Sequence, residues 1–227
     1  MHLLTTKMVR RRNTDELDDL IQNLNFIDSQ SVKLTGRYPK ISTEIELNIL
    51  KKIFSEGKPL SQFYLDHGNP IYYRTSGGRY FNVITNYPTG STKEKPIYVK
   101  KELSDFVGGI LSSNLFYFYQ QVYSNGLDLK SFEIDSFPIP KVTDNILQKV
   151  VIAYNNYLLD IERNVIEHNS SNYSNIAGYK EYKIFKSKHL IDLLDDLICP
   201  LYGLTTKELE FIKYYEIEYR INDDADD

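Results

Sequence analysis

The sequence predicts an α+β fold, in which a small antiparallel or mixed β-sheet domain with flanking helices is followed by a long helical hairpin. Residues 71–99 are rich in β-branched and aromatic side chains and contain turn-forming glycine and proline, a composition typical of short strands. The residues on both sides repeat apolar side chains every three or four positions, which indicates helices. At 227 residues the chain is long enough for two unequal domains, which we expect at 1–140, with a β-rich centre at 70–100, and at 141–227.

The first predicted helix spans Thr43–Glu56. Thr43 and Glu46 have the spacing of a capping box, in which each side chain accepts the backbone N–H of the other residue. Gly57 and Pro59 follow, and both disfavour a helix interior, so we expect the helix to end there.

Three short strands are predicted next. Ile71–Arg74 and Arg79–Thr85 flank Thr75-Ser76-Gly77-Gly78, a sequence typical of a hairpin turn. A lysine-containing loop then leads to the third predicted strand, Ile97–Lys100. The β-rich part of the chain coincides with a basic part.

Helical spacing returns over Leu103–Val122. Gly108-Gly109 and Ser112-Ser113 interrupt this apolar stripe and predict a bend or a close backbone approach. Phe137–Pro140 contains two prolines, which restrict the backbone, and is predicted to be a rigid extended linker.

The helical hairpin is predicted beyond this linker. Its first helix is the amphipathic stretch Val142–Val165 and its second is Leu190–Ile198, with polar Asn169–Asn175 and Gly178 turning the chain between them. A second capping box, formed by Thr205 and Glu208, predicts a final short helix.

Composition excludes several classes of protein. With 41% hydrophobic and 26% charged residues, the chain is neither fibrous nor disordered. It contains no run of eighteen apolar residues and Met1–Arg12 lacks a signal-peptide cleavage site, so we expect a cytoplasmic chain with no membrane partner. The single cysteine, Cys199, excludes an internal disulfide and a cysteine-built zinc site.

The net charge of −4 conceals a strong segregation of charge. Residues 71–101 carry six basic side chains against one acid, Glu94, whereas residues 192–227 carry eleven acids against three bases. Such segregation predicts one electropositive face that could bind a polyanion. The alternative is that these charge runs are ordinary solvated surface.

The predicted hairpin and its surroundings carry the candidate DNA-binding side chains. Arginine pairs with guanine edges or phosphates and asparagine with adenine, and a two-stranded ribbon fits the major groove. Lysine and arginine clusters nearby would hold phosphates. The alternative is a structural hairpin whose aromatic side chains face the core. The candidates are Arg74, Arg79 and Asn82 near base edges, Tyr72, Tyr73 and Tyr80 beside them, and Lys93, Lys95, Arg10, Arg11 and Arg12 on phosphates.

Patterns that would indicate catalysis are weak. Asn69-Pro70-Ile71-Tyr72 is similar to the Asn-Pro-Pro-Tyr loop of amino-methyltransferases, but no strand followed by a glycine-rich turn is present to hold S-adenosylmethionine. Glu56-Gly57-Lys58 and Glu181-Tyr182-Lys183 match the Glu-x-Lys triplet of metal-dependent nucleases, but neither has an obvious strand-borne aspartate partner. We therefore predict no catalytic residue, cofactor or metal in this chain.

An ordered set of segments carries a resemblance that spans nearly the whole chain. These segments are residues 5–12, 71–80, 111–119, 123–129, 137–140, 187–192 and 201–220. Together they resemble the C-terminal target-recognition region of type IIG restriction–modification enzymes, which combine nuclease, adenine methyltransferase and specificity domains in one polypeptide.

This resemblance implies sequence-specific recognition of double-stranded DNA in a bacterial defence system. It also implies a methyltransferase/nuclease domain or subunit as partner, outside this chain, where S-adenosylmethionine and magnesium would act. Two alternatives stay open, a protein-interaction module and a standalone metal-dependent nuclease.

Overall fold

The computed structural model of the chain describes residues 27–76, 81–124, 128–168 and 179–220. The fold is α+β, as predicted, with helices and small antiparallel sheets. The α-helices are, in chain order, α1 (Glu44–Glu56), α2 (Lys101–Leu111), α3 (Asn114–Tyr123), α4 (Ser131–Ser136), α5 (Asp144–Arg163), α6 (Lys188–Ile198), α7 (Thr206–Lys213) and α8 (Ile217–Arg220).

The strands form three small antiparallel sheets, in which β1 pairs with β5, β2 lies between β3 and β4, and β6 pairs with β7. The strands are β1 (Gly57–Pro59), β2 (Asn69–Arg74), β3 (Ile84–Thr85), β4 (Glu94–Val99), β5 (Pro138–Pro140), β6 (Val165–His168) and β7 (Tyr179–Tyr182).

The predicted strands β2, β3 and β4 are confirmed, with changed bounds. Strand β3 has two residues where seven were predicted, and part of that range lies outside the described residues. Strand β4 begins at Glu94, three residues earlier than predicted, and pairs with β2 along its whole length. Strand β2 is therefore the central strand of this sheet.

Both predicted capping boxes are confirmed. Glu46 Oε2 accepts the Thr43 backbone N–H at 2.8 Å, and Thr43 Oγ1 accepts the Glu46 N–H in return. Thr205 and Glu208 make the same exchange at the start of α7. These contacts fix both helix starts through residues three apart in sequence.

The helical run after Leu103 is interrupted as predicted, by a bend and by a close approach to its backbone. The chain bends at Ser112-Ser113, and Ser113 Oγ caps α3 by accepting the Phe116 N–H at 3.2 Å. At Gly108, helix α5 approaches α2 so closely that an added Cβ would lie 2.6 Å from the Tyr154 ring. The small residues therefore let two helices pack at close range.

The predicted linker at Phe137–Pro140 is extended, but it is a strand in the protein interior. Pro138, Ile139 and Pro140 are all buried and form β5, which pairs with β1. Tyr202 Oη donates a hydrogen bond to the Pro138 carbonyl at 2.7 Å. The prolines are tolerated because β5 belongs to a two-stranded sheet and has one free edge.

The two predicted helices of the helical hairpin, α5 and α6, pack against each other. Between them lies the antiparallel pair β6–β7, which the sequence analysis did not predict. Asn169–Asn175 and Gly178, expected to turn the chain, lie outside the described residues.

One hydrophobic core extends across the predicted domain boundary at residue 140. It includes Phe106 and Ile110 of α2 together with Val150 and Tyr154 of α5. The division into two domains stays a prediction. Among the helices of the described ranges, none is long and apolar enough to cross a membrane.

Candidate nucleic-acid interface

The sheet β3-β2-β4 has one face against α2 and one face turned away from it. Ile71 and Tyr73 of β2 are buried on the inner side with Ile97 and Val99 of β4. Side chains alternate along a strand, so the residues between them point to the other side. We call that side the outer face, and its residues on β2 and β4 are Pro70, Tyr72, Arg74, Glu94, Pro96 and Tyr98.

The two adjacent tyrosines of β2 have different environments. Tyr73 is only 3% exposed and lies in the core, where burial raises the pKa of its hydroxyl. Its side chain is therefore not at the surface, where a contact with DNA would need it. Tyr72 lies on the outer face and is partly exposed.

The Arg74 guanidinium is engaged within the protein. Its Nε and Nη2 atoms donate to Thr89 Oγ1 at 3.1 and 3.0 Å, and Nη1 donates to the Lys180 carbonyl at 3.1 Å. The group also lies 4.8 Å from the centre of the Tyr182 ring. Arg74 thus joins the end of β2 to the β6–β7 hairpin, in place of the predicted position near base edges.

Replacing Arg74 by alanine is expected to lower the free energy of unfolding by about 1–2 kcal/mol, because three hydrogen bonds and a cation–π contact are lost. Urea denaturation of the variant measures this change. Lys95→Ala is the matched control, since Lys95 is an exposed cation on the neighbouring strand. An Arg74→Ala protein as stable as the control would contradict a structural role for this guanidinium.

Asn82 is also engaged within the protein. Its Nδ2 atom donates to Gln120 Oε1 of α3 at 2.8 Å, in a partly buried position. The contact anchors the segment that leads into β3. The remaining predicted contacts, Arg79 and Tyr80 with Arg10, Arg11 and Arg12, lie outside the described residues.

Four lysines are exposed along β4 and just beyond its ends. We call Lys93, Lys95, Lys100 and Lys101 the lysine strip. Within the described ranges, no lysine of the strip forms an ion pair. The lysines that do form ion pairs there are Lys52, Lys180, Lys183, Lys188 and Lys213.

The backbone beneath the lysine strip is well anchored. The Lys93 carbonyl accepts hydrogen bonds from the Thr75 backbone N–H at 2.8 Å and from Thr75 Oγ1 at 3.0 Å. At the other end of β4, the Tyr98 carbonyl accepts the Leu65 N–H at 2.9 Å. The strip is therefore carried on a strand held at both ends, and its first lysine lies beside the residue that opens the predicted turn.

Glu94, the acidic residue among these lysines, forms hydrogen bonds within the protein. The Glu94 carboxylate accepts hydrogen bonds from the backbone N–H and the hydroxyl of Thr89. Thr89 is also the residue that holds Arg74. Glu94 is consequently part of the polar network on the outer face, and the lysines beside it keep their charges available.

No protein-family model, curated protein or solved structure matches this chain. The resemblance to target-recognition regions therefore depends on the ordered sequence segments alone.

Several of the residues considered for catalysis have defined contacts in the fold. Asn69–Tyr72 belongs to strand β2. Glu181 is paired with Lys183 Nζ at 2.6 Å and His168 Nε2 at 2.8 Å, contacts that lower the pKa of its carboxyl group. Burial raises the pKa of the Cys199 thiol. The described part of the chain contains no group of three or more side chains suited to hold a metal ion.

Sequence reasoning missed two features near the sheet. Tyr98 shares the outer face with Tyr72, but Ile97, Tyr98 and Val99 are consecutive hydrophobic residues, so the sequence carries no alternation that shows which of them is exposed. Arg220 lies between the rings of Phe81 and Tyr117, at 4.3 and 4.0 Å from their centres. These contacts of Arg220 join residues far apart in the chain, so no local sequence pattern indicates them.

Proposed function

We propose that this chain recognises double-stranded DNA for a restriction–modification system, and that methylation and cleavage belong to a methyltransferase/nuclease part outside it. The lysine strip is the observation that supports the proposal. Its four lysines lie on β4 or directly beyond its ends, are exposed and form no ion pair within the described ranges. Such lysines can bind phosphates and release counterions from DNA without first breaking an ion pair in the protein.

The position of the strip supports the same proposal. Thr75 donates a hydrogen bond to the Lys93 carbonyl, so the strip begins beside the predicted turn, which Arg79 and Tyr80 follow. In this arrangement the lysines contact the backbone, which positions the protein, and the turn is the candidate for reading bases. Arg74, Tyr73 and Asn82 take no part, because their side chains are engaged or buried within the protein.

Replacing Lys93 and Lys95 by alanine is expected to weaken duplex binding about tenfold at low salt, because two phosphate contacts are lost. The slope of log K against log salt concentration should fall by about 1.8, which is about 0.9 for each contact. Fluorescence anisotropy with a labelled duplex over a salt series measures both quantities.

The control for this experiment is the double variant Lys149→Ala and Lys207→Ala. These two lysines are also exposed, on α5 and α7. The control should bind duplex as the wild type does. Equal losses in the two double variants would show a nonspecific charge effect, and an unchanged slope in the Lys93/Lys95 variant would refute the proposed interface.

A second candidate function is binding to another protein. Ile152 and Leu159 are 61% and 60% exposed on α5, and a spacing of seven places them on the same side of the helix. This apolar surface would suit a partner such as the methyltransferase part. Replacing both residues by glutamate tests it: loss of a salt-resistant complex with that part, with duplex affinity unchanged, would support this role.

A further inference from the structure

The outer face carries two tyrosine rings whose side chains have no contact partner among the described residues. Tyr98 is 39% exposed and Tyr72 is partly exposed. Within the described ranges, neither side chain makes a hydrogen bond, a ring contact or a cation–π contact. Most other large aromatic side chains there are buried, as the T-shaped contacts of Tyr119 with Phe54 and Phe137 illustrate.

The strand register places these rings side by side on the sheet. Tyr72 lies opposite Pro96 and Tyr98 lies opposite Pro70, so the tyrosines are diagonal neighbours on adjacent strands. Side chains in that relation are about 7–8 Å apart, which gives each ring room for one flat ligand group. Pro70 and Pro96 add apolar surface beside the rings and contribute no side-chain donor or acceptor.

Lysines border this surface at both ends. Lys93 lies just before β4, and Lys100 and Lys101 follow its end, whereas Lys95 lies opposite Tyr73 and therefore on the other side of the sheet. Six residues of strand span about 20 Å, so a ligand that runs along β4 meets positive charge, then aromatic rings, then positive charge again. The matching ligand is a flexible polyanion that carries flat apolar groups.

We propose that the outer face binds single-stranded nucleic acid, with unpaired bases stacked on Tyr72 and Tyr98 and phosphates held by Lys93, Lys100 and Lys101. Aromatic platforms beside positive charge are the usual means of binding single strands without sequence preference. Duplex DNA cannot use the platform in this way, because its bases are already stacked on each other. The inference therefore does not rest on duplex recognition, although the two activities share the lysines.

The test uses the full chain and the double variant Tyr72→Leu and Tyr98→Leu. Leucine keeps the surface apolar but offers no flat ring. Affinity for a labelled twelve-nucleotide single strand, measured by anisotropy at low salt, should fall at least tenfold, since base–aromatic stacking is a large part of such affinity. Quenching of 2-aminopurine fluorescence on binding, which reports stacking directly, should disappear in the variant.

Two control variants separate stacking from other effects. Tyr72→Phe with Tyr98→Phe keeps the rings and should bind and quench as the wild type does. Tyr214→Leu removes a ring that is 64% exposed on another surface and should change neither readout. The thermal unfolding of each variant is followed to show that the folded state is retained.

Several outcomes would overturn the proposal. They are no binding of single strands by the wild type, unchanged affinity in the leucine variant, and equal losses in the leucine and phenylalanine variants. Unchanged oligonucleotide affinity is also the result expected if the face serves a protein partner. Duplex binding by the wild type is measured in parallel. A wild-type protein that binds single strands but not duplex would contradict only the proposed duplex recognition. A wild-type protein that binds duplex but not single strands would contradict only this inference.

Discussion

Replacing Asp195 by alanine is expected to lower the free energy of unfolding by about 2–4 kcal/mol at pH 7. Asp195 lies on α6 and is fully buried. Its carboxylate accepts the backbone N–H groups of Asn114 and Leu115 at 3.2 and 3.1 Å and the Asn114 side-chain amide at 2.5 Å. It therefore caps helix α3 from a different helix, and alanine would leave these buried donors without an acceptor. Urea denaturation measures the loss.

The control for this variant is Asp196→Ala. Asp196 is the next residue, but it is exposed and pairs with Lys213 at 2.6 Å on the surface. Exposed ion pairs contribute about 0–1 kcal/mol, so this change should have little effect. Equal costs for the two alanine variants would show that the buried cap is not a major source of stability.

The pH dependence of the Asp195→Ala loss identifies the carboxyl group as its source. Burial raises the pKa of Asp195 to about 6, above its ordinary value of 3.8. Between these two values the folded protein holds a proton that the unfolded chain has released, so this group's contribution to stability falls as the pH rises. The difference in the free energy of unfolding between wild type and Asp195→Ala should accordingly widen, by up to about 3 kcal/mol, as the pH is lowered from 7 to about 4. A free-energy difference that narrows as the pH falls would contradict the assignment of this effect to the Asp195 carboxyl group.

Replacing Gly108 by alanine is expected to destabilise the protein by about 3 kcal/mol, although alanine normally stabilises a helix relative to glycine. The added Cβ would lie 2.6–2.7 Å from the Cε1, Cζ and Oη atoms of Tyr154. Tyr154 is fully buried and its hydroxyl donates to the Ile84 carbonyl at 3.2 Å, so the ring has no free space to enter. Thermal or urea unfolding gives the size of the effect.

Gly109→Ala is the matched control for Gly108→Ala. It makes the same change one residue further along the same helix, where the nearest atom to an added Cβ is Val150 Cγ1 at 3.1 Å. The cost there should be about 1 kcal/mol or less, because the clash is smaller and alanine favours the helix. A Gly108→Ala protein as stable as the control would mean that α2 and α5 can separate at no cost.

Elements defined by residues close in sequence were predicted well. The start of α1 depends on Thr43 and Glu46, and the bend before α3 depends on Ser112-Ser113, so each has a signature within a few positions. Strand β6 carries no such signature. None of its four residues is buried, so no apolar pattern in the sequence is required to form it. Burial of β5 could not be read from Phe137–Pro140 because the partner strand β1 is about eighty residues away.

The candidate interface was predicted only in part, for a related reason. The exposure of Lys93 and Lys95 follows from their charge, which disfavours burial. Tyr72 and Tyr73 are the same residue type in adjacent positions, and only the packing of α2 on β2 decides which of them enters the core. The engagement of Arg74 depends on the Lys180 carbonyl, more than one hundred residues along the chain.

The helix starts, the basic β-rich region and the segregation of acidic from basic residues can be read from neighbouring residues and from composition. The internal contacts of Arg74 and Asn82, the interior position of Pro138–Pro140 and the surface shared by Tyr72 and Tyr98 become visible only in the folded chain. Burial and hydrogen bonding of a side chain are set by elements distant in sequence, whose approach no local pattern records.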